Sequence, residues 1–380
     1  MSSSESDPDA LSPADAKPDA ALPPVESLPE VQPPTTGFIL QLFIIPALIV
    51  SVIVMIALLV NWVADSAGSP QDYLAEMRKG RSNSWQQALA LAQALQSDPK
   101  YKKDAALAKQ IAEYLDSVLD QELPPTAGDK QPDPKTSRNE EAELANLRQY
   151  LCMALGNFQI ADDALPVLLK AAGMDDRSDD NRVKVRVAAL MAIATLAENV
   201  KATSPLEHPS LMPTLLAVSE SDTEALRSPA AVTLGVLGTE RALERLEEMR
   251  IQSQPPNVDY NVATALARNG REESLELLVE MLQPSKIRGL PERPETDEEK
   301  ENSPLGKLSD AQLAERRKLE QALIVRSAIQ AVDLLADQVD VEKLQEVMAL
   351  LEKLEQTDIP KSIQIEAQQL LRKLKAASEE

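Results

Sequence analysis

Two hydrophobic patterns run along the 380-residue chain, one unbroken and one periodic. From Phe38 to Ala64 the sequence FILQLFIIPALIVSVIVMIALLVNWVA holds 27 residues without a charge. At about 1.5 Å per residue such a helix exceeds the roughly 30 Å of bilayer hydrocarbon, so residues 37–64 are expected to form one transmembrane helix, in lipid contact over 38–64. Phe38 and Trp62 lie near its ends, where rings favour the headgroup zone. Pro46 removes one helical hydrogen bond and predicts a modest kink. A cleaved signal peptide is the alternative, with a faint cleavage pattern at Ala64–Ala67, but no short basic region precedes the apolar run and the run exceeds the usual ~7–15 residues. Arg78, Lys79 and Arg81 follow the span, whereas the preceding tail has only Lys17. The positive-inside tendency therefore favours a cytoplasmic C-terminal region.

The periodic pattern lies further on and repeats. Segments starting at Leu147, Val185, Leu226, Val258, Val325 and Ile363 are separated by 38, 41, 32, 67 and 38 residues. Four residues after each start stand Leu151, Ala189, Ala230, Val262, Ile329 and Ala367; eight after stand Leu155, Ile193, Leu234, Leu266, Asp333 and Leu371. Offsets of 0, 4 and 8 fall on one stripe of a helix. Asp333 breaks the rule, which means either a one-residue shift in that copy or a partly solvated face. A second apolar-periodic stretch follows most copies, at Ala164–Ala171, Leu211–Ser219, Ala242–Arg250, Ser274–Leu282 and Val341–Leu354. Each unit is thus predicted to be a helix pair. Gly156, Gly235, Gly238 and Gly270 stand at the breaks, where helix ends and close backbone approach need them.

An apolar residue followed by Arg opens four copies, as in Val185-Arg186-VAALMAIATL and Leu226-Arg227-SPAAVTLGVLG. These units resemble HEAT repeats, particularly the short HEAT-like kind also found in phycobilisome lyase subunits, over about residues 140–377. The resemblance implies an all-α fold, an α-solenoid of HEAT-like helix pairs, placed after the single transmembrane helix and a disordered N-terminal tail. It also implies a protein-binding scaffold role.

Composition by segment completes the organisation. Residues 1–36 are acidic and Pro-rich and lack the apolar side chains that would offset the entropy of ordering, so they are expected to be disordered. Residues 65–139 are read as divergent N-terminal helices and a linker, with helices in 71–119 covering the first repeat. The repeat region is 140–380. Two Pro- and charge-rich stretches, 121–139 and 284–310, are read as flexible loops. A formal charge of −22 repels phosphate backbones and argues against nucleic acid as a partner.

Little in the chain points to chemistry. One cysteine and one histidine exclude an intrachain disulfide and any zinc site needing two imidazoles. Asp175, Asp176, Asp179, Asp180 and Asn181 offer oxygen ligands but lack the Gly and Glu of a calcium loop. His208 has no nucleophile motif beside it, and Cys152 reads as a small buried hydrophobe. No catalytic, cofactor-binding or metal-binding residue is assigned. Arg148, Arg186, Arg227 and Arg326 share one repeat position and would form a ladder along one edge, able to contact acidic partners or simply to cover and pair with neighbouring helices. The expected function is a non-enzymatic, membrane-anchored scaffold binding unidentified protein partners. The alternatives are an accessory subunit of a tetrapyrrole lyase-like activity and a structural envelope protein.

Overall fold

The structure is a computed structural model that describes residues 69–80, 83–121, 134–175, 179–201, 205–252, 254–292 and 308–378. The chain divides into two units, Met1–Ala67 and Gly68–Glu380, and the described residues belong to the second. The expected tail and membrane helix lie outside them. Among the described residues no helix is long and apolar enough to cross a membrane, and none of them forms a strand.

Gly68–Glu380 is a two-layer stack of helix pairs. A short helix α1 (Pro70–Arg78) precedes the pair α2 (Ser84–Ser97) and α3 (Ala105–Leu119). The following pairs are α4 (Pro134–Gly156) with α5 (Ala164–Ala172), α6 (Asp180–Val200) with α7 (Leu211–Ser219), and α8 (Glu224–Leu237) with α9 (Glu240–Ile251). Next come α10 (Pro256–Arg268) with α11 (Leu275–Met281), α12 (Asp310–Ala336) with α13 (Gln345–Leu354), and a final helix α14 (Lys361–Ala377). The even-numbered helices from α2 to α14 pack side by side in one layer, and odd-numbered partners lie against them in the other.

The repeat stripe is where the pattern put it. Every residue at offset 0 and offset 4 is buried, from Leu147 and Leu151 to Ile363 and Ala367. At offset 8 Leu155, Ile193, Leu234 and Leu266 are buried and Leu371 is half-buried. Asp333 is solvated, which decides between the two readings: Val332 and Leu335 carry the burial in that copy while Asp333 accepts from Lys373 at 2.8 Å. Full burial of each Leu contributes roughly 1.5–3 kcal/mol, and the stack needs all of them because each pair covers its apolar face only with the next.

Close approach within the even-numbered layer depends on two glycines. A Cβ on Gly156 would lie 2.9 Å from the Ala192 Cα, and one on Gly235 would lie 2.8 Å from the Ala265 Cα. The carbonyls exposed by this packing are taken by the next helix of the layer: Asn199 Nδ2 donates to Gly156 O (3.0 Å) and Asn269 Nδ2 to Gly235 O (2.8 Å). Gly238 and Gly270 end α8 and the turn after α10 at φ of +58° and +70°, conformations a side chain would strain.

Two expectations for the loops need correction. Residues 134–139 of the expected loop 121–139 belong to α4: Pro134 suits a first helical turn, and the Lys-, Arg- and Glu-rich sequence after it favours helix. The start of the expected flexible insertion 284–310 is packed onto the stack. Ile287 is buried, Gly289 lies against Pro256, and Gln321 Nε2 donates to Pro284 O at 3.0 Å. Its end is the capping box of α12, in which Ser309 and Gln312 bond reciprocally. Residues 293–307 lie outside the described residues.

The apolar core divides into two clusters, one from Leu74 to Leu266 and one from Tyr260 to Leu374. Helix α10 serves both: Val258, Val262 and Leu266 face the first, Tyr260, Ala263 and Ala267 the second.

Candidate functional site

The repeated arginines do not present one common face. Arg148 is buried, and it donates from Nε to Val118 O (2.9 Å) and from an Nη to Leu119 O (3.3 Å) and Gln121 O (2.7 Å). It thereby covers the C-terminal carbonyls of α3, which no intrahelical donor reaches. Burial lowers its pKa from the usual arginine value. Arg186, equally buried, donates from Nε to Ala172 O at the end of α5 (2.8 Å), and Arg227 from an Nη to Ser221 O just past α7 (2.9 Å). In the last copy Gln364 does the same, with Nε2 on Thr357 O (3.0 Å) and Glu355 O (3.4 Å) beyond α13. The repeat position is thus a donor to the end of the preceding helix. Arg245 of α9 adds to the hold on α7, from Nε to Ser219 Oγ (2.7 Å).

Copies four and five depart from this. Asp259 cannot donate, and Arg288 of the packed arm comes to it instead, with an Nη 3.3 Å from Asp259 Oδ2 and Nε 2.7 Å from Glu280 Oε1. The Tyr260 hydroxyl donates to Glu280 Oε1 (2.6 Å) and accepts from the Arg288 backbone N–H (2.8 Å). Burial, reinforced by the Glu280 contact, pushes the Tyr260 phenol up to about 12. Burial also raises the Asp259 carboxyl, against the pull of Arg288. Arg326 is half-exposed and forms a two-pronged pair with Glu366 of α14, at 2.9 and 3.0 Å. Of the four expected partner-contact arginines, only Arg326 is substantially open to solvent, and its guanidinium is already paired.

A different set of repeat positions forms an open face. Offsets 2, 6 and 10 lie opposite the buried stripe, and there the even-numbered helices present Met153 on α4, Met191 on α6, Val232 and Val236 on α8, and Thr264 on α10. On α12 offset 6 is the buried Ala331, and Leu334 is the exposed apolar residue near it. Met153, Met191 and Leu334 are 43–46% exposed and stand on three helices of one layer. Between α8, α10 and α12 the face sinks into a groove of about 230 Å³. Its depth comes from small residues, Gly235, Ala265 and Ala331, flanked by Val232 and Leu334, and its polar edge is Asn261, Ser327 and Gln330. The only charged side chain lining it is Arg268, which pairs with Glu198 of α6. By contrast, the cavity beside α3 and α6 is lined by Asp120, Glu141, Asp175, Asp179, Arg148 and Arg182.

This face escaped the sequence reading, which followed the buried stripe and the arginines. Methionine at offset 6 in two successive copies was the available signal.

The remaining candidates take structural places. Cys152 is fully buried in α4, and burial pushes its thiol up to about 12. His208 is half-buried, and its Nδ1 accepts from the Ser210 backbone N–H at 3.2 Å. Asp179 caps α6 by accepting from the Asn181 N–H, and its carboxylate lies 3.3 Å from Arg182. Asp176 lies outside the described residues. Among those residues no cluster of three His, Cys, Asp or Glu side chains could hold a metal ion.

Residues 183–235, spanning most of α6, all of α7 and most of α8, match the family model of a HEAT-like repeat. That match and the all-helical paired stack support the HEAT repeat family, whose members commonly act as protein-interaction scaffolds. No curated protein matches the chain.

Proposed function

We propose that the chain is a non-enzymatic scaffold, anchored in a membrane by residues 38–64, that binds other proteins through its helical stack. The observation that carries the binding role is the open apolar face running over α4, α6, α8 and α12 of a chain whose net charge is −22. Exposed apolar side chains repeated across neighbouring helices are worth burying against a partner, and a rigid stack presents them without an ordering cost at the moment of binding. The anchoring role rests on the charge-free 27-residue run. Confinement to a bilayer raises the effective concentration of any partner sharing that membrane. The basic residues Arg78, Lys79 and Arg81 favour a cytoplasmic stack. The lyase-type reading has only the repeat resemblance behind it, and the envelope reading rests on the acidic tail of residues 1–36 as a spacer.

Carbonate extraction and protease protection of the full-length chain in membrane vesicles test the anchor and its direction. Release into the carbonate supernatant removes the anchor; protection of the stack in right-side-out vesicles supports the cytoplasmic side, and its digestion reverses it. Affinity capture with the full-length chain in mild detergent tests the scaffold. Recovery of the same stoichiometric partner from independent membrane preparations is the expected result, and recovery of nothing above an unrelated membrane-protein control overturns the reading.

A further inference from the structure

From the groove between α8, α10 and α12 we infer the kind of partner the stack takes: a basic amphipathic α-helix that seats one bulky apolar side chain, such as Leu, Met or Phe, against Gly235, Ala265 and Ala331. The inference rests on the scaffold reading and specifies its binding site.

Three observations carry it. The first is size. A space of about 230 Å³, roofless and walled by Val232 and Leu334, suits one large side chain and is too small for a folded loop. The short side chains of Ala265 and Ala331 in its lining let that side chain come close to α10 and α12, while the space beside Gly235 is taken by Ala265 itself.

The second is the absence of a backbone edge. The surrounding surface is helical, so its N–H and C=O groups are already bonded within the helices. An extended peptide laid over Met191, Val232 and Leu334 would leave its own backbone groups on an apolar strip, with only Asn261, Ser327 and Gln330 to meet them. A helix satisfies its backbone internally and avoids that cost. Helices in a packed layer lie about 8–10 Å apart, and seven residues of a helix rise about 10.5 Å. Apolar residues spaced at i and i+7 therefore meet successive helices of the layer, one in the groove and the next on Val232 or Met191.

The third is charge. Arg268 is neutralised by Glu198 at the groove wall, so the apolar floor carries no net positive charge. On the side of α12 toward α14, Asp333 and Asp337 share the single ammonium of Lys373, which leaves one negative charge in excess beside that helix. Glu224, one turn before Ser228 on the outer stripe of α8, is exposed at the other side. Lysine or arginine flanking the anchor residue complements these neighbouring carboxylates and speeds encounter with a molecule of net charge −22.

The test uses the full-length chain in detergent and fluorescein-labelled helical peptides of about 20 residues. One has Leu at i, i+7 and i+14 with Lys flanks, a second has the same leucines with Glu flanks, and a third is the Lys peptide with the leucines changed to Ser. Fluorescence anisotropy is read at physiological salt. The expected result is saturable binding of the Lys–Leu peptide, at least tenfold tighter than either control. Thr264→Trp fills the groove and Leu334→Glu removes its wall; each is expected to weaken binding tenfold or more with an unchanged far-ultraviolet circular dichroism spectrum. Arg326→Ala, at a side chain that pairs with Glu366 of α14 and does not line the groove, is expected to leave it within twofold. Equal binding of the Lys–Leu and Lys–Ser peptides, no binding at all, or unchanged binding by both folded groove variants overturns the proposal. A concentration-dependent dimer that Thr264→Trp turns into a monomer overturns it in favour of a second copy of the chain. If affinity capture recovers a partner that the groove variants still bind, this site is wrong and the scaffold reading stands; if nothing is captured, both fall.

Discussion

The first three repeats and the two that follow solve the same problem with different chemistry. In the former, Arg148, Arg186 and Arg227 reach from one helix to the carbonyl end of the helix before it. In the latter the position holds Asp259 or a solvated Arg326, and a packed arm before α12 supplies Arg288, while Gln321 reaches Pro284 in place of the missing donor. The difference teaches that the Arg of the repeat signature is there for the end of its neighbour. Before α12, where the insertion lies, Gln321 takes the carbonyl end and Arg326 turns to Glu366; before α10 only residues 252–255 intervene, and the change of sign at Asp259 is met by Arg288.

The largest expected effect comes from crowding the layer that both halves share in design. Gly235→Val places branched carbons inside the contact with Ala265 and should cost about 3 kcal/mol, read as a fall in the urea midpoint. Arg148→Met keeps the stem and removes the donors to three carbonyls. Its expected cost is about 2–3 kcal/mol, and a value as small as that of a surface substitution would dissolve the contrast drawn above. Arg288→Ala leaves the mostly buried Asp259 carboxylate without its partner, for about 1–2 kcal/mol at neutral pH.

The sign of the pH dependence of Arg288→Ala follows from two shifts. Asp259 is raised by burial, so its contribution is favourable below the unfolded carboxylate value and lost as pH rises through the folded one; acid protonates it and removes its need for Arg288. Glu280 is opposed by burial but lowered on balance by its bonds to Arg288 and Tyr260, so its contribution is present above the unfolded value and lost as pH falls. Both make the penalty of Arg288→Ala smaller at pH 4 than at pH 7, and Asp259→Asn added to it should recover part of the loss at pH 7. The smallest effect belongs to Arg326→Ala, about 0.5 kcal/mol or less by the same denaturation, since its pair with Glu366 is exposed on the arginine side.

Much of the fold was legible in the residues because burial in a stack repeats with the chain. Offsets 0 and 4 predict every core position tested, and the second helix at Leu211–Ser219 has the bounds read from its apolar spacing. The arm at 284–292 was hidden because its Pro and charges look like those of any solvated loop; only the arrival of Asp259, Tyr260 and Glu280 from elsewhere gives Arg288 and Ile287 partners. The start of α4 was hidden by neighbouring prolines. For the arginines, spacing gave the shared edge but not the acceptor, since a backbone carbonyl has no letter in the sequence. The groove was illegible for a related reason. Gly235, Ala265 and Ala331 read singly as ordinary small residues, and their shared floor exists only once three helices from separate repeats lie together.

Helix α10 has a consequence for how the stack breathes. It is the one helix among the described residues with side chains in both apolar clusters, so the two halves communicate through its opposite faces. Solvent exchange of backbone amides should fall into two cooperative blocks meeting at residues 258–267, each able to open while the other stays shut. A seam of that kind lets one end of the stack loosen without dissolving the rest.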